Sequence, residues 1–464
     1  MASAQWISGE PLKSRGEMRR FVFCLVYLLA TLSITAQGLN EYISFAVEKA
    51  WAFQQANLHV YQAEANLLGA RAAFDPQLSL LDRGKAAGAG TGYRYQEAEV
   101  RLPLVGGMAL NATGQWGSGP WLNPESRLPL SGLAGLGLSV PVGPQLWYSE
   151  SQQKVNVAQR EVAVAKAELY VIEQEVAKEA LQRFVAWSVA RREREVYTAS
   201  LARLEAQLAQ IRASYSLGAS ARKDTLELFA YKVMRQSQFL QALQSEQAAL
   251  QVLQSFLGPE GAGRQWQALA FEDPFYQFVG LRGNPALEQA PKRQLWEAKQ
   301  NQARTQLRFE QMQRWNAPNV NVIGWQYADS FNPYGSSWKV AWDIPGFNRK
   351  NRSERQLASL YLQEMTLGQD FFDQEALNRE VQWSQQWPTS LANVQTMYTQ
   401  AATYRELWEL EEQSFALGYS SVFMKNQREL AYLDALINRN QAVAAHLQLL
   451  AEWAAFTGQQ VQWP

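Results

Sequence analysis

The chain repeats itself at a fixed interval, and that constrains its fold more than any other feature. Ser216-Leu217-Gly218 returns as Ala416-Leu417-Gly418, and Phe256-Leu257-Gly258 returns as Phe456-Thr457-Gly458. One offset of 200 residues joins both pairs of landmarks. Similar helical text fills each interval, so the two halves are an internal duplication. A solenoid needs three or more repeats to bury its own core. Two copies therefore describe an arc that other copies of the chain complete.

Each half runs helix, hairpin, long helix, turn, shorter helix. In the first half, Glu41 to Ala73 reads as a proline-free helix ended by Pro76. Period-two alternation follows. Ala98, Val100 and Leu102 alternate with Glu97, Glu99 and Arg101. Met108, Leu110, Ala112 and Trp116 alternate with Asn111, Thr113 and Gln115, and Leu136, Leu138 and Val140 with Gly137 and Ser139. Those are strands with two unlike faces. Gly84 to Gly92 and Gly117 to Leu130 read as loops. Helical spacing resumes near Gln145, with Leu201, Leu204, Leu208, Ile211 and Tyr215 forming a coiled-coil seam. Gly218 can close that helix in a left-handed conformation and Ser220 can cap the next. The return helix stops at Gly258-Pro259. An outward arm of about 70 residues would be about 105 Å long, too long for a lone globular domain to bury.

The second half follows the same plan. Ala286 to Trp315 reads as helix, Pro318 ends it, and strands are expected at about 319–328 and 336–345. Pro345 closes the hairpin. A second arm carries Met397, Ala401, Tyr404, Trp408 and Phe415 on its seam and turns at Gly418. Pro76 to Pro141 is far longer than Pro318 to Pro345, so the first hairpin holds an insertion. The expected organisation is a leader at 1–36, then a first repeat at 37–260 with its hairpin at 76–141 and helix pair at 145–258. A linker at 261–285 precedes a second repeat at 286–464, with its hairpin at 318–345 and helix pair at 349–458.

Met18-Arg19-Arg20 heads an apolar stretch from Phe21 to Ile34, and Thr35-Ala36-Gln37 offers a cleavage site. That is the layout of a secretory signal peptide, with a membrane anchor as the alternative. The residues before Met18 read as a start-site extension. The single cysteine, Cys24, falls inside the leader. A mature chain would hold no disulfide and rely on packing or assembly. Removing residues 1–36 leaves 39 basic side chains (43 less four) and 41 acidic ones (43 less two). That balance provides no field for nucleic acid. No later segment reads as a transmembrane helix, which leaves soluble, surface-attached or β-barrel states for an exported chain.

Taken in order, these pieces resemble the TolC family of outer-membrane efflux proteins. The carriers are the duplication, Phe74-Asp75-Pro76-Gln77-Leu78, Asn316-Ala317-Pro318-Asn319-Val320 and Trp342-Asp343-Ile344-Pro345-Gly346-Phe347. The turns add Tyr215-Ser216-Leu217-Gly218 with Ser220 and Asp224, and Phe415-Ala416-Leu417-Gly418 with Ser420. The insertion around Gly106-Gly107 and Trp121-Leu122-Asn123-Pro124-Glu125 is similar to a Bacteroidetes-like branch. The resemblance implies a mainly α chain with a β-barrel contribution. Three copies would give four strands each to one 12-stranded outer-membrane barrel, continued by a long antiparallel coiled-coil α-helical barrel across the periplasm. It implies a passive exit duct for efflux or type I secretion. Its partners would be two further copies, outer-membrane lipid, a periplasmic adaptor and an inner-membrane pump, with no nucleic acid. The alternative is a non-channel coiled-coil scaffold of the periplasm or cell surface.

The resemblance sets Gly218 and Gly418 at the periplasmic tips and makes Pro76, Pro141, Pro318 and Pro345 the helix–strand junctions. Asp224 and Glu227 are one helical turn apart. Repeated in three copies, they would form acidic rings at a gate, with Arg222 and Lys223 as pairing partners. The second copy has Met424 and Gln427 there instead. The plain alternative is that both acids favour the start of a helix dipole. Tyr93, Tyr95, Trp116, Trp325, Tyr327, Trp338 and Trp342 are candidates for interfacial girdles, or else for simple packing. Enzymatic readings have no support in the residues. His59 and His446, the only histidines, lie far apart on helices, no glycine loop carries the Lys-Ser/Thr of a phosphate site, and metal ligands do not cluster. No cofactor or catalytic residue is expected.

Overall fold

The computed structural model describes residues 38–87, 90–120, 128–129, 131–142, 149–218, 221–258, 260–261, 264–271, 289–312, 318–330, 332–342 and 349–459. The expected leader, the Trp121 to Glu125 segment, Ser220 and Pro345 lie outside them.

The helix expected over Glu41 to Ala73 is two helices, α1 (Leu39–Lys49) and α2 (Trp51–Arg71). Ala50 between them is extended, at φ −60° and ψ 129°. Its N–H still bonds the Ala46 carbonyl at 2.9 Å, so α1 ends satisfied while the chain is re-aimed. A 3₁₀ turn at Ala72–Phe74 leads past Pro76 into the strands.

The first half contributes four strands, not two: β1 (Gln77–Ala87), β2 (Gly90–Pro103), β3 (Ala109–Ser118) and β4 (Leu133–Pro141). The second contributes β5 (Asn319–Tyr327) and β6 (Pro333–Ala341). All pair antiparallel in one sheet, in chain order, so the protomer brings six strands where four were expected. The extra pair arises where Gly84 to Gly92 was read as a loop. Lys85 pairs with Tyr93, and Gly84 with Arg94. A Cβ at Gly84 would stand 2.9 Å from the Tyr93 carbonyl oxygen, so glycine there admits a close strand rather than breaking one.

Two long helices follow the strands: α3 (Glu150–Ser216) and, in the second half, α6 (Arg349–Ala416). At 67 and 68 residues each is about 100 Å long. Returning helices α4 (Arg222–Leu257) and α7 (Val422–Thr457) pack on them, and α5 (Pro291–Met312) leads into β5. Ser149 caps α3 by accepting the Gln152 N–H at 3.1 Å. The reversals at Gly218 and Gly418 have φ of 75° and 79°, the left-handed geometry glycine allows. The second reversal is capped by Ser421, which accepts the Met424 N–H at 3.2 Å. In the first, Ala221 is the N-cap and Asp224 accepts its N–H at 3.3 Å, in place of the expected serine cap.

Helices stand side by side in four columns. α2 and α4 flank α3 on one side; α5 and α7 lie between α3 and α6. Within a column the shorter helices nearly meet end to end. Lys49 at the end of α1 pairs with Glu260 beyond α4 at 2.6 Å. Tyr170 donates to the Gly458 carbonyl at 3.1 Å, and a Cβ on Gly458 would lie 2.9 Å from Pro291 at the start of α5. The main core sits at that height. Tyr42, Phe184, Trp187, Leu253, Trp266, Phe271, Val443 and Leu447 join α1, α3, α4, α7 and the 264–271 segment. Tyr42 meets Trp266 edge-on, with ring centroids 5.1 Å apart.

Candidate functional site

Strand registers sort the sheet's side chains into two faces, because successive residues point to opposite sides. One row runs Leu78, Val100, Ala112, Leu136, Gly324, Ser336. A neighbouring row on the same face holds Leu102, Leu110, Leu138, Val322 and Trp338. This face is apolar and open, with Leu80 and Trp338 each 76% exposed. Beyond Trp116, at its outer end, Asp82 and Arg94 pair at 2.6 Å.

The opposite face carries Gln77, Arg101 and Asn111 in one row and Ser79, Glu99 and Thr113 in the next. Arg83, Glu97, Gln115, Asn321 and Lys339 lie on it too. It is the crowded side of the sheet. Asn111, 2% exposed, donates to Ser139 Oγ at 2.8 Å. Ile323 and Trp325 fit among these polar groups because Gly137 and Gly135 oppose them. A Cβ on either glycine would come within 2.7 Å of those side chains. Ser337 stands in the row of Gln77, yet β6 runs on to Ala341, so the ladder is staggered as tilted barrel strands require.

The expected girdle residues do not share a face. Trp116 and Trp338 stand on the apolar side, and Trp342, just past β6, is exposed. Tyr93, Tyr95, Trp325 and Tyr327 belong to the polar side by register. There Tyr95 donates to Glu97 at 2.7 Å, and Trp325 donates to Ser337 Oγ at 2.7 Å.

Every level of the molecule is open at the same two flanks. β1 and β6 each lack a second neighbour among the described strands. The helix columns likewise end at α2 and α4 on one side and α6 on the other. Exposed apolar stripes mark those flanks. Trp51, Leu58, Tyr61 and Leu68 line α2, while Leu226, Phe229, Val233 and Leu240 line α4. Leu357, Leu360, Leu367, Phe371 and Val381 line α6. Buried apolar contact is what such stripes are for.

At the first tip Arg222 and Lys223 are exposed, while Asp224 and Glu227 are half-buried. Asp224 accepts the Ala221 N–H, and no ion pair joins these four among the described residues. The second tip is tied differently. Lys425, nearly buried, pairs with Glu412 at 3.2 Å across the reversal, and Ser420 donates to Glu411.

Sequence reasoning missed a buried polar cluster higher on the same helices. Glu429 of α7, 2% exposed, accepts from Ser200 at 3.0 Å and from Arg203 at 3.1 and 3.0 Å, both on α3. Arg235 of α4 is buried beside it. Burial pushes the Arg235 guanidinium below its usual value, opposed by the pull of Glu429. An open cleft of about 600 Å³ adjoins the cluster, lined by Arg192, Arg203, Arg405 and Arg439 with Glu195 and Glu409. His446 is fully buried; its Nδ1 meets Ser390 Oγ at 3.0 Å, its ring leans on Trp387, and burial pushes its pKa down.

Among the described residues no three His, Cys, Asp or Glu converge as metal ligands, and no helix is long and apolar enough to cross a membrane. Such a helix is not needed for a β-barrel.

No protein-family model matches the chain, and no curated protein matches it. Solved structures do. The CmeC outer-membrane channel of Campylobacter jejuni aligns over 92% of this chain and 86% of its own, at TM-score 0.62 and 11% identity. The outer-membrane protein VceC of Vibrio cholerae aligns over 90% and 96%, at TM-score 0.62 and 12% identity. The open-state MtrE outer-membrane channel of Neisseria gonorrhoeae aligns over 90% and 88%, at TM-score 0.62 and 13% identity. The chain therefore has the fold of these channels, strand sheet and helical columns together.

Proposed function

We propose that this chain is one of three copies in a passive duct that crosses the outer membrane as a β-barrel and the periplasm as a helical tunnel. One observation carries the reading: an amphipathic sheet with an open apolar face, continuous with helix columns that are open at the same flanks. A sheet with unpaired edges cannot sit in hydrocarbon, whereas a barrel closed by further copies has none. The apolar rows then meet lipid and the rows with Asn111, Glu99 and Arg101 line water. The helix tips would receive a periplasmic adaptor, and an inner-membrane pump would supply the energy, in efflux or type I secretion. A coiled-coil scaffold would have no use for a lipid-compatible row of Leu78, Val100 and Leu136.

The test is extraction from membranes. A detergent-solubilised trimer whose gel mobility changes on heating, and which conducts ions in planar bilayers, is the expected result. A water-soluble monomer without conductance would favour the scaffold.

A further inference from the structure

The resemblance implies twelve strands from three copies, four from each, but this chain brings six of its own. Three observations tie the additional pair, β1 and β2, into the wall. First, β2 is registered to β3 without interruption, from Arg94 opposite Ser118 to Pro103 opposite Ala109. Second, the apolar face continues across it, since Leu78 and Leu80 of β1 are as open as Leu136 of β4. Third, the polar face continues too: Ser79, Glu99 and Thr113 form one row. Detaching the pair would break the β2–β3 ladder and strand two amphipathic strands outside the barrel. The edges that remain open are those of β1 and β6.

We infer that β6 of each copy pairs with β1 of the next, so that three copies close an 18-stranded barrel. This rests on the three-copy duct proposed above. At a strand spacing of about 4.8 Å and a tilt of about 40°, 18 strands enclose a backbone diameter of about 36 Å, against about 24 Å for 12. That is the gauge at which porins hold an aqueous channel. The inner rows fit it. Arg83, Glu97, Glu99, Arg101 and Lys339 are groups that need water, and a wide bore supplies it. Four helix columns per copy would put twelve helices below the eighteen strands, and at about 9.5 Å between axes they ring a diameter of about 36 Å, the same gauge as the barrel. The cargo class it admits is bulky hydrated solutes, too wide for a twelve-stranded bore.

Disulfide trapping tests the closure. Cys24 is the only cysteine, so Cys24→Ser gives a clean background. In the full-length chain, Ser79→Cys in β1 is combined in turn with Gly335→Cys, Ser337→Cys or Lys339→Cys in β6. These three share the inner face and allow for the register. After oxidation in the outer membrane, at least one pair should give a reducible covalent trimer that single-cysteine chains do not. A parallel series joins Thr113→Cys in β3 with the same β6 positions. Trapping through β3, or through neither strand while a conducting trimer still forms, overturns the eighteen strands and leaves the duct standing. Loss of trimer and conductance in the Cys24→Ser background itself would instead remove the duct, and this inference with it.

Discussion

Glu429 is a carboxylate withdrawn from water, and its partners lie 226 and 229 residues earlier in the chain. That separation is why sequence reading missed it: no local spacing announces a cluster assembled from both repeats. A buried charge is tolerated while paired and costly when its partner goes. Arg203→Met should therefore lower stability by about 2–4 kcal/mol, while the double change with Glu429→Met should cost less than Arg203→Met alone. Denaturant titration of the purified assembly reads both. Sequence reading placed His446 on a helix far from His59, and its burial adds a pH dependence. Its pKa is lowered in the fold, so its contribution is intact above the ordinary histidine value of about 6.5 and is lost as pH falls below it. Thermal unfolding between pH 7.5 and pH 5 should show a decline that His446→Gln flattens; equal slopes would refute the assignment.

At the scale of elements, the reversals were legible because glycine is chemically particular: Gly218 and Gly418 are where two helices turn. Hairpin contents were not. Glycines at 84 to 92 read as a loop because composition cannot separate a flexible glycine from one that lets strands approach, as Gly84 does beneath Tyr93. Alternation did identify the faces, and it allows a direct test. Leu136→Arg, in the middle of the apolar rows, should cost about 2–4 kcal/mol and reduce the membrane-inserted trimer. Ser337→Arg, on the polar face, should leave insertion intact, as heat-modifiable mobility would report. The tips make a second test. Asp224 accepts the Ala221 N–H at the start of its own helix, while Arg222, Lys223 and Glu227 make no ion pair within the copy among the described residues. Asp224→Asn with Glu227→Gln should lower cation selectivity in planar bilayers. An unchanged reversal potential would leave these acids as helix-start residues only.

For the whole molecule, the duplication leads one to expect an arc, and among the described residues the sheet is open at β1 and β6 and the helix columns at α2, α4 and α6. The proposed closure would depend on the apolar stripes that a single copy leaves open. Leu360→Glu on α6 or Leu68→Glu on α2 should leave the protomer helical by circular dichroism and abolish the trimer on native gels. What the sequence could not convey is that each column of shorter helices has a junction, where Lys49 meets Glu260 in one and Gly458 meets Pro291 in the other. Below that junction α4 and α7 each run 36 residues, about 54 Å, with no further joint. Each packs on a longer helix that passes the junction unbroken, α4 on α3 and α7 on α6. A tilt of about 5° of such a helix pair would carry its tip through about 5 Å. In the proposed tube such pairs would widen the mouth about the packed rings of Tyr42, Phe184 and Trp266.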